Sequence, residues 1–248
     1  MPSVRRPSYS SSILYGYLPR GIKWLIIINT AIFLVYFLGG STVERYMTVW
    51  LALSAGAAIK TLMIWQIFTY LFLHGGIGHI LFNMLALWMF GTPIEQDWGT
   101  RRFLRYYFYC GLVAGICVLA VNAAMGDWST PTIGASGAIL GVMVAFGVLY
   151  PEQPVLIAFL FPIKAKYLVM IFAAIELLVL LKYGTGTGVS TVAHVGGMAF
   201  GYLYLKRRLP LIRMPDLAGA YRRWKMQRAK KKFQTYMRKH GGGGPWVN

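Results

Sequence analysis

Acidic side chains are scarce in this sequence, with 7 Asp and Glu against 25 Lys and Arg, and charged residues of both signs make up only 13% of its 248 residues. That is too little charge to solvate an ordinary globular surface, because 57% of the residues are hydrophobic, above the ~45–50% usual in soluble domains. Cysteine is nearly absent. Cys110 and Cys117 lie in one apolar run, on one helical face, where a helix holds them too far apart for a disulfide. A disulfide framework is excluded, and both are expected to be small apolar packing residues. A formal charge of +18 would suggest nucleic acid in a soluble chain, but here the apolar content makes the lipid bilayer the first partner, and no nucleic acid is expected.

Long apolar sequence is what the chain has in abundance. Runs that avoid Asp, Glu, Lys and Arg extend for ~18 residues or more, the length that carries a helix across ~30 Å of hydrocarbon. They predict an all-α, polytopic membrane protein with six helices in one transmembrane bundle: Trp24–Gly39, His79–Pro93, Leu104–Met125, Gly134–Tyr150, Tyr167–Leu181 and Val189–Leu205. The first run starts late and has no small-residue cleavage site after it, so it is expected to stay as a span and not to be removed as a signal peptide. Three regions follow: 1–23, a polar cytoplasmic N-terminal tail; 24–205, the six-span domain; and 206–248, a basic cytoplasmic C-terminal tail ending in Gly241–Gly244 and expected to be disordered. Residues 40–78 are too long for a turn, and their aromatics predict a functional loop in the membrane interface.

The basic residues set the expected orientation. With the N-terminus in the cytoplasm, 22 of the 25 Lys and Arg fall inside, leaving Arg45, Lys60 and Lys182 outside. Both termini are then cytoplasmic, and the second, fourth and sixth spans enter from the outer side. No transit-like leader is visible, which favours a bacterial plasma membrane.

This topology brings three polar clusters to one depth. His79 and Asn83 stand at the outer end of the second span, Ser136 in the first turn of the fourth, and His194 about one turn into the sixth. Singly, each has a plain explanation, since membrane Ser usually bonds its own helix and His often packs helices. Together, polar groups that are costly in lipid imply a wet cavity open to the outside. Gly134 and Gly137 flank Ser136, letting a substrate carbonyl reach the hydroxyl, and a helix N-terminus aims free N–H groups at a developing oxyanion. Gly197 and Gly201 give the sixth span a small-residue face for close packing on the fourth, as a Ser–His hydrogen bond requires. His79 and Asn83, at i and i+4, share a helix face and offer side-chain N–H donors to the same point.

His79-Ile80-Leu81-Phe82-Asn83, Gly134-Ala135-Ser136-Gly137 and Ala193-His194-Val195-Gly196-Gly197 resemble, in order and on alternate spans, the three signatures of the rhomboid family. The resemblance covers roughly Trp24 to Leu205. It implies an intramembrane serine endopeptidase that cleaves transmembrane or juxtamembrane segments of membrane proteins, with Ser136 as nucleophile, His194 as its base, and His79, Asn83 and the Ser136 amide stabilising the oxyanion. No metal or other cofactor is implied. His74 matches a histidine of structural character, and Glu95 a structural carboxylate, expected to pair with Arg101, Arg102 or Arg105. Two positions depart from the family pattern: Gln66 follows Trp65 where Arg is frequent, and Leu140 stands where a Tyr often supports the histidine, so the imidazole is expected to be held differently.

Glu176 lies outside that pattern, in the middle of the fifth span. It either orients His194 as a third group or is protonated and bonded to a neighbouring helix; the second reading is preferred, because burial favours the neutral acid. A non-catalytic rhomboid-like protein that binds membrane clients is the alternative function, although such proteins typically lose the Ser or the His. A transporter would need paired intramembrane charges, for which only Glu176 qualifies. In the tail, Arg222, Arg223, Lys225, Arg228, Lys230, Lys231, Lys232, Arg238 and Lys239, interleaved with aromatics, predict contact with anionic lipid head groups.

Overall fold

A computed structural model describes residues 18–157, 161–183, 191–207 and 217–240. The described residues are mostly helical. Their elements run α1 (Arg20–Leu38), α2 (Gly40–Leu51), a π turn (Gly56–Lys60), α3 (Gln66–Thr69), a 3-10 turn (Tyr70–Phe72), α4 (Ile77–Trp98), α5 (Thr100–Ala124), α6 (Ser136–Leu149), β1 (Pro154–Ile157), β2 (Phe161–Lys164), α7 (Ala165–Tyr183), α8 (Thr191–Arg207) and α9 (Leu217–His240). Residues 1–209 form one compact unit and 210–248 a second.

In the first unit the core is a helix. From Gly137 to Gly147 nearly every residue of α6 is buried, and α6 packs most extensively on α8, then on α5, α4 and α7. Outward faces stay apolar, with Ile27, Leu34 and Phe37 on α1 and Met170, Ile171, Leu178 and Leu181 on α7 exposed, an arrangement that suits lipid and not water. Among the described residues three helices, α1, α4 and α5, are long and apolar enough to cross a membrane. Helix α6 is apolar but shorter. Helix α8 has 17 residues, and α7 carries Lys166, Glu176 and Lys182.

Glycine sets the spacing of the central helices. A Cβ on Gly141 would lie 2.6 Å from Cys110 Sγ and 3.0 Å from the Gly197 carbonyl, and one on Gly201 would lie 2.5 Å from the Tyr106 hydroxyl oxygen. Helices α5, α6 and α8 therefore meet backbone to backbone, the small-residue packing of membrane bundles. Cys110 and Cys117 are free and fill this contact, Cys117 against Gly196.

Several expectations change. The second predicted span continues through Pro93 to Trp98 as one helix, since proline is tolerated within membrane helices. A small antiparallel hairpin, Pro154↔Lys164 to Ile157↔Phe161, joins α6 to α7. The C-terminal tail, expected to be disordered, holds the 24-residue helix α9, since Ala220 to His240 contains neither Gly nor Pro and many strong helix formers. Residues 1–17, 189–190 and Gly241–Gly244 lie outside the described residues.

Glu95 also finds partners other than the expected arginines. Its buried carboxylate accepts the Gly21 and Ile22 amides at 2.8 Å each and the Thr100 hydroxyl at 2.6 Å. An anion thus sits on the N-terminus of α1, where unpaired N–H groups and the helix dipole favour it. Gly21 permits the approach, because a Cβ there would stand 2.9 Å from Glu95 Oε2.

Candidate active site

The long connection from α1 to α4 is a scaffold for the segment that precedes Ser136. Gln66 is fully buried; its Oε1 accepts from the Ser54 amide at 3.2 Å and its Nε2 donates to the Val49 carbonyl at 2.9 Å. A neutral amide therefore ties the loop together here by using both its donor and its acceptor. Trp65 donates to the Trp50 carbonyl at 2.8 Å and stacks on its ring. Leu53 and Thr132 exchange backbone hydrogen bonds at 2.9 and 2.8 Å, and the Gly134 amide donates to the Tyr70 carbonyl at 2.9 Å. The strand of chain entering α6 is fixed on both sides before it reaches the serine.

Ser136 is the first residue of α6, and no side chain caps the helix. The first intrahelical bond here runs from Ile139 to the Ala135 carbonyl, so the amides of Ser136, Gly137 and Ala138 precede it and point out of the helix end. Gly134 has φ +119°, a conformation that L side chains rarely adopt. A Cβ there would also lie 2.8 Å from His79 Nε2 and 3.8 Å from Ser136 Oγ. The imidazole of His79 and the serine hydroxyl thus flank one point.

His194, one turn into α8, places Nε2 2.6 Å from Ser136 Oγ, a hydrogen bond between residues 58 apart in sequence. Helix α4 contributes His79 and Asn83 from its first two turns. In this state the Asn83 amide donates to the His79 carbonyl at 2.9 Å, and the His79 ring nitrogen Nδ1 accepts weakly from the Gly75 amide at 3.4 Å. His79 Nε2 remains on the Gly134 side. His74, fully buried, meets His79 edge to face at 5.0 Å, a packing role in keeping with its expected structural character.

A cavity of about 1030 Å³ opens on this cluster, lined by Ser136, His194, His79, Asn83 and Gly134 and extending between α4 and α7 past Met89 and Phe172. Leu140 lines it as well, so no aromatic ring stands beside the imidazole at that position. Gly137 also permits close packing of the helices. A Cβ there would lie 2.9 Å from Ala114 Cβ and from the Ala193 carbonyl oxygen.

Glu176 lies beside the histidine. Its Oε1 lies 2.9 Å from His194 Nδ1, on the far side of the ring from Ser136, so the neighbouring helix it meets is the one that bears the histidine. In the sequence it stands out as a carboxylate in the middle of an apolar run, but the register of α7 against α8 is not readable there. Among the described residues no group of three His, Cys, Asp or Glu is placed to hold a metal ion.

A hydroxyl paired with an imidazole, and N–H donors from a second histidine and an asparagine, thus meet at three helix ends around one cavity. Known proteins carry the same pattern of sequence. The Rhomboid domain matches residues 61–210. Rhomboid protease GluP of Bacillus subtilis is 33% identical over 141 residues, 56% of this chain and 25% of that protein. RHOMBOID-like protein 12, mitochondrial, of Arabidopsis thaliana is 30% identical over 52% of this chain and 41% of its own length. Rhomboid protein 1, mitochondrial, of Saccharomyces cerevisiae is 32% identical over 54% and 38%. The chain therefore spans well under half the length of these relatives. Because the domain match takes in more than half of the chain and all three helix ends that meet at the cavity, the protein belongs to the rhomboid family of membrane-embedded helical proteins.

Proposed function

We propose that the chain is an intramembrane serine endopeptidase that cleaves transmembrane or membrane-proximal segments of other membrane proteins. The observation that carries this reading is the 2.6 Å contact between Ser136 Oγ and His194 Nε2 at the wall of a cavity. Ser136 attacks the scissile carbonyl while Nε2 takes its proton; the same proton then goes to the leaving amine, and water enters the acyl-enzyme by the reverse of these steps. The amide of Ser136 at the helix end, with His79 and Asn83, receives the oxyanion. A helix hides its carbonyls in its own hydrogen bonds, so preferred substrates carry a helix that unwinds easily near the site.

Under this reading the first unit crosses the bilayer six times, through α1, α4, α5, α6, α7 and α8, with both termini in the cytoplasm of a bacterial plasma membrane and the site near the outer face. The basic α9 meets anionic lipid on the inner side.

The test is incubation of the purified full chain with a fluorophosphonate probe and with a panel of single-span substrates. Wild type is expected to label and to cleave, while Ser136→Ala and His194→Ala do neither. A folded wild type that neither labels nor cleaves overturns the reading in favour of a rhomboid-like protein that binds membrane clients without cutting them.

A further inference from the structure

We propose that Glu176 is the positioning residue of a Ser136–His194–Glu176 triad, holding the base from α7 in place of the aromatic support absent at Leu140. The inference rests on the protease reading above and deepens it.

For His194 Nε2 to accept from the serine hydroxyl, a neutral imidazole must carry its proton on Nδ1, and that N–H needs an acceptor. The nearest is Glu176 Oε1 at 2.9 Å, with the two side chains only 10% and 17% exposed. The carboxylate is close in distance but lies off the line of the ring N–H, so Nδ1 completes no aligned hydrogen bond in the resting state. A small turn of either side chain aligns it, as catalytic hydrogen bonds commonly tighten once substrate is bound.

Two further observations favour a functional role. A carboxylate amid a membrane helix is costly and persists where it has a task or a partner, and the other oxygen of Glu176, Oε2, is buried with no hydrogen-bond partner. Packing alone would be served better by an apolar side chain, since a half-satisfied buried acid destabilises a helix bundle. Glu176 also lines the same cavity as Ser136, His79 and Asn83. When Ser136 loses its proton to Nε2, the imidazolium that forms has a negative charge against its opposite edge; Glu176 keeps its charge and takes no proton in the step.

The experiment compares wild type with Glu176→Gln, Glu176→Asp and Glu176→Met in the full-length protein, on a substrate whose cleavage disappears in Ser136→Ala. Expected are a fall in kcat of ~10²-fold or more for Gln and Met with KM within about twofold, and a smaller fall for Asp, which retains the charge. Thermal unfolding of Glu176→Met is expected to occur at the same or a higher temperature, the opposite of what loss of a structural contact would give. Nitrogen NMR of labelled histidine is expected to show the His194 proton on Nδ1 in wild type and redistributed toward Nε2 in Glu176→Gln. Unchanged kcat in Gln and Met overturns the inference and leaves the protease reading standing, as does an equal loss in Asp, Gln and Met accompanied by unfolding at lower temperature. A wild type without Ser136-dependent cleavage overturns the protease reading itself; the NMR comparison then still decides whether Glu176 fixes the tautomer.

Discussion

Gly197 of α8 sits directly against the backbone carbonyl of Gly137 in α6, one residue past the serine and three past the histidine. No Cβ fits there, so this contact sets the distance between the helices that bear the two reacting groups. Gly197→Ala is expected to push α8 away by a fraction of an ångström to about 1 Å and to cost ~10²-fold in activity, the usual penalty for such a misplacement. Fluorophosphonate labelling rate, measured beside thermal unfolding in detergent, checks this. Wild-type labelling in Gly197→Ala would show that the helix spacing has slack.

Asn83 is committed to the His79 carbonyl in the resting structure. To serve an oxyanion its amide must swing away from that bond, so its contribution appears in the transition state and not in ground-state binding. Asn83→Ala and His79→Ala are each expected to lower kcat by ~10–10³-fold with little change in KM. Steady-state kinetics on a cleaved single-span substrate separates the two parameters, and a rise in KM at constant kcat would assign both residues to substrate binding.

The motif-bearing helix ends were legible because their chemistry is local: Gly134 before Ser136 marks a backbone conformation, and Gly197 and Gly201 mark a packing face. Glu95 was recognisable as a structural carboxylate, but beside the nearby Thr100 hydroxyl its partners are two amides more than 70 residues away, and a helix N-terminus offers no side chain by which a sequence could announce the pairing. The hairpin was missed because Val155-Leu156-Ile157 is too short an apolar run for periodicity to separate strand from helix. Glu176 was noticed as a charge in lipid, yet its meeting with His194 depends on how α7 is rotated, and α7 is apolar on nearly every face, so its pattern fixes no rotation.

His74 makes stability depend on pH. It is fully buried in the connection before α4, and desolvation, with His79 beside it, lowers its pKa from 6.5 to about 4. The unfolded chain takes up a proton on this residue near pH 6.5, while the folded chain does so only near pH 4. Between these values the unfolded state binds more protons, so stability falls as the pH is lowered through that window and levels off beneath it. The loss attributable to this group is on the order of 3 kcal/mol. His74→Gln cannot titrate and is expected to show a flatter profile than wild type in thermal unfolding from pH 7.5 to 4. Parallel profiles would mean that the ring is not held neutral.

Helix α9 makes a separable prediction about the membrane surface. Lys225, Arg228, Lys230, Lys231 and Lys232 are exposed along it, with Met226, Phe233 and Met237 also exposed. The three apolar side chains recur at spacings of seven and four, which places them on one helix face together with Lys230, while the other charges lie around the rest of the helix. Such a helix binds anionic bilayers by adding ~1 kcal/mol per basic residue near the surface to a modest apolar insertion, and the electrostatic part is screened by salt. The full chain reconstituted in vesicles rich in phosphatidylglycerol is therefore expected to protect residues 217–240 from trypsin at low salt. Protection should fade at high salt, in phosphatidylcholine alone, and when Lys230, Lys231 and Lys232 are each replaced by Glu. If cleavage of the helix proceeds at one rate in both lipids and at both salt concentrations, the basic helix has some partner other than the anionic surface.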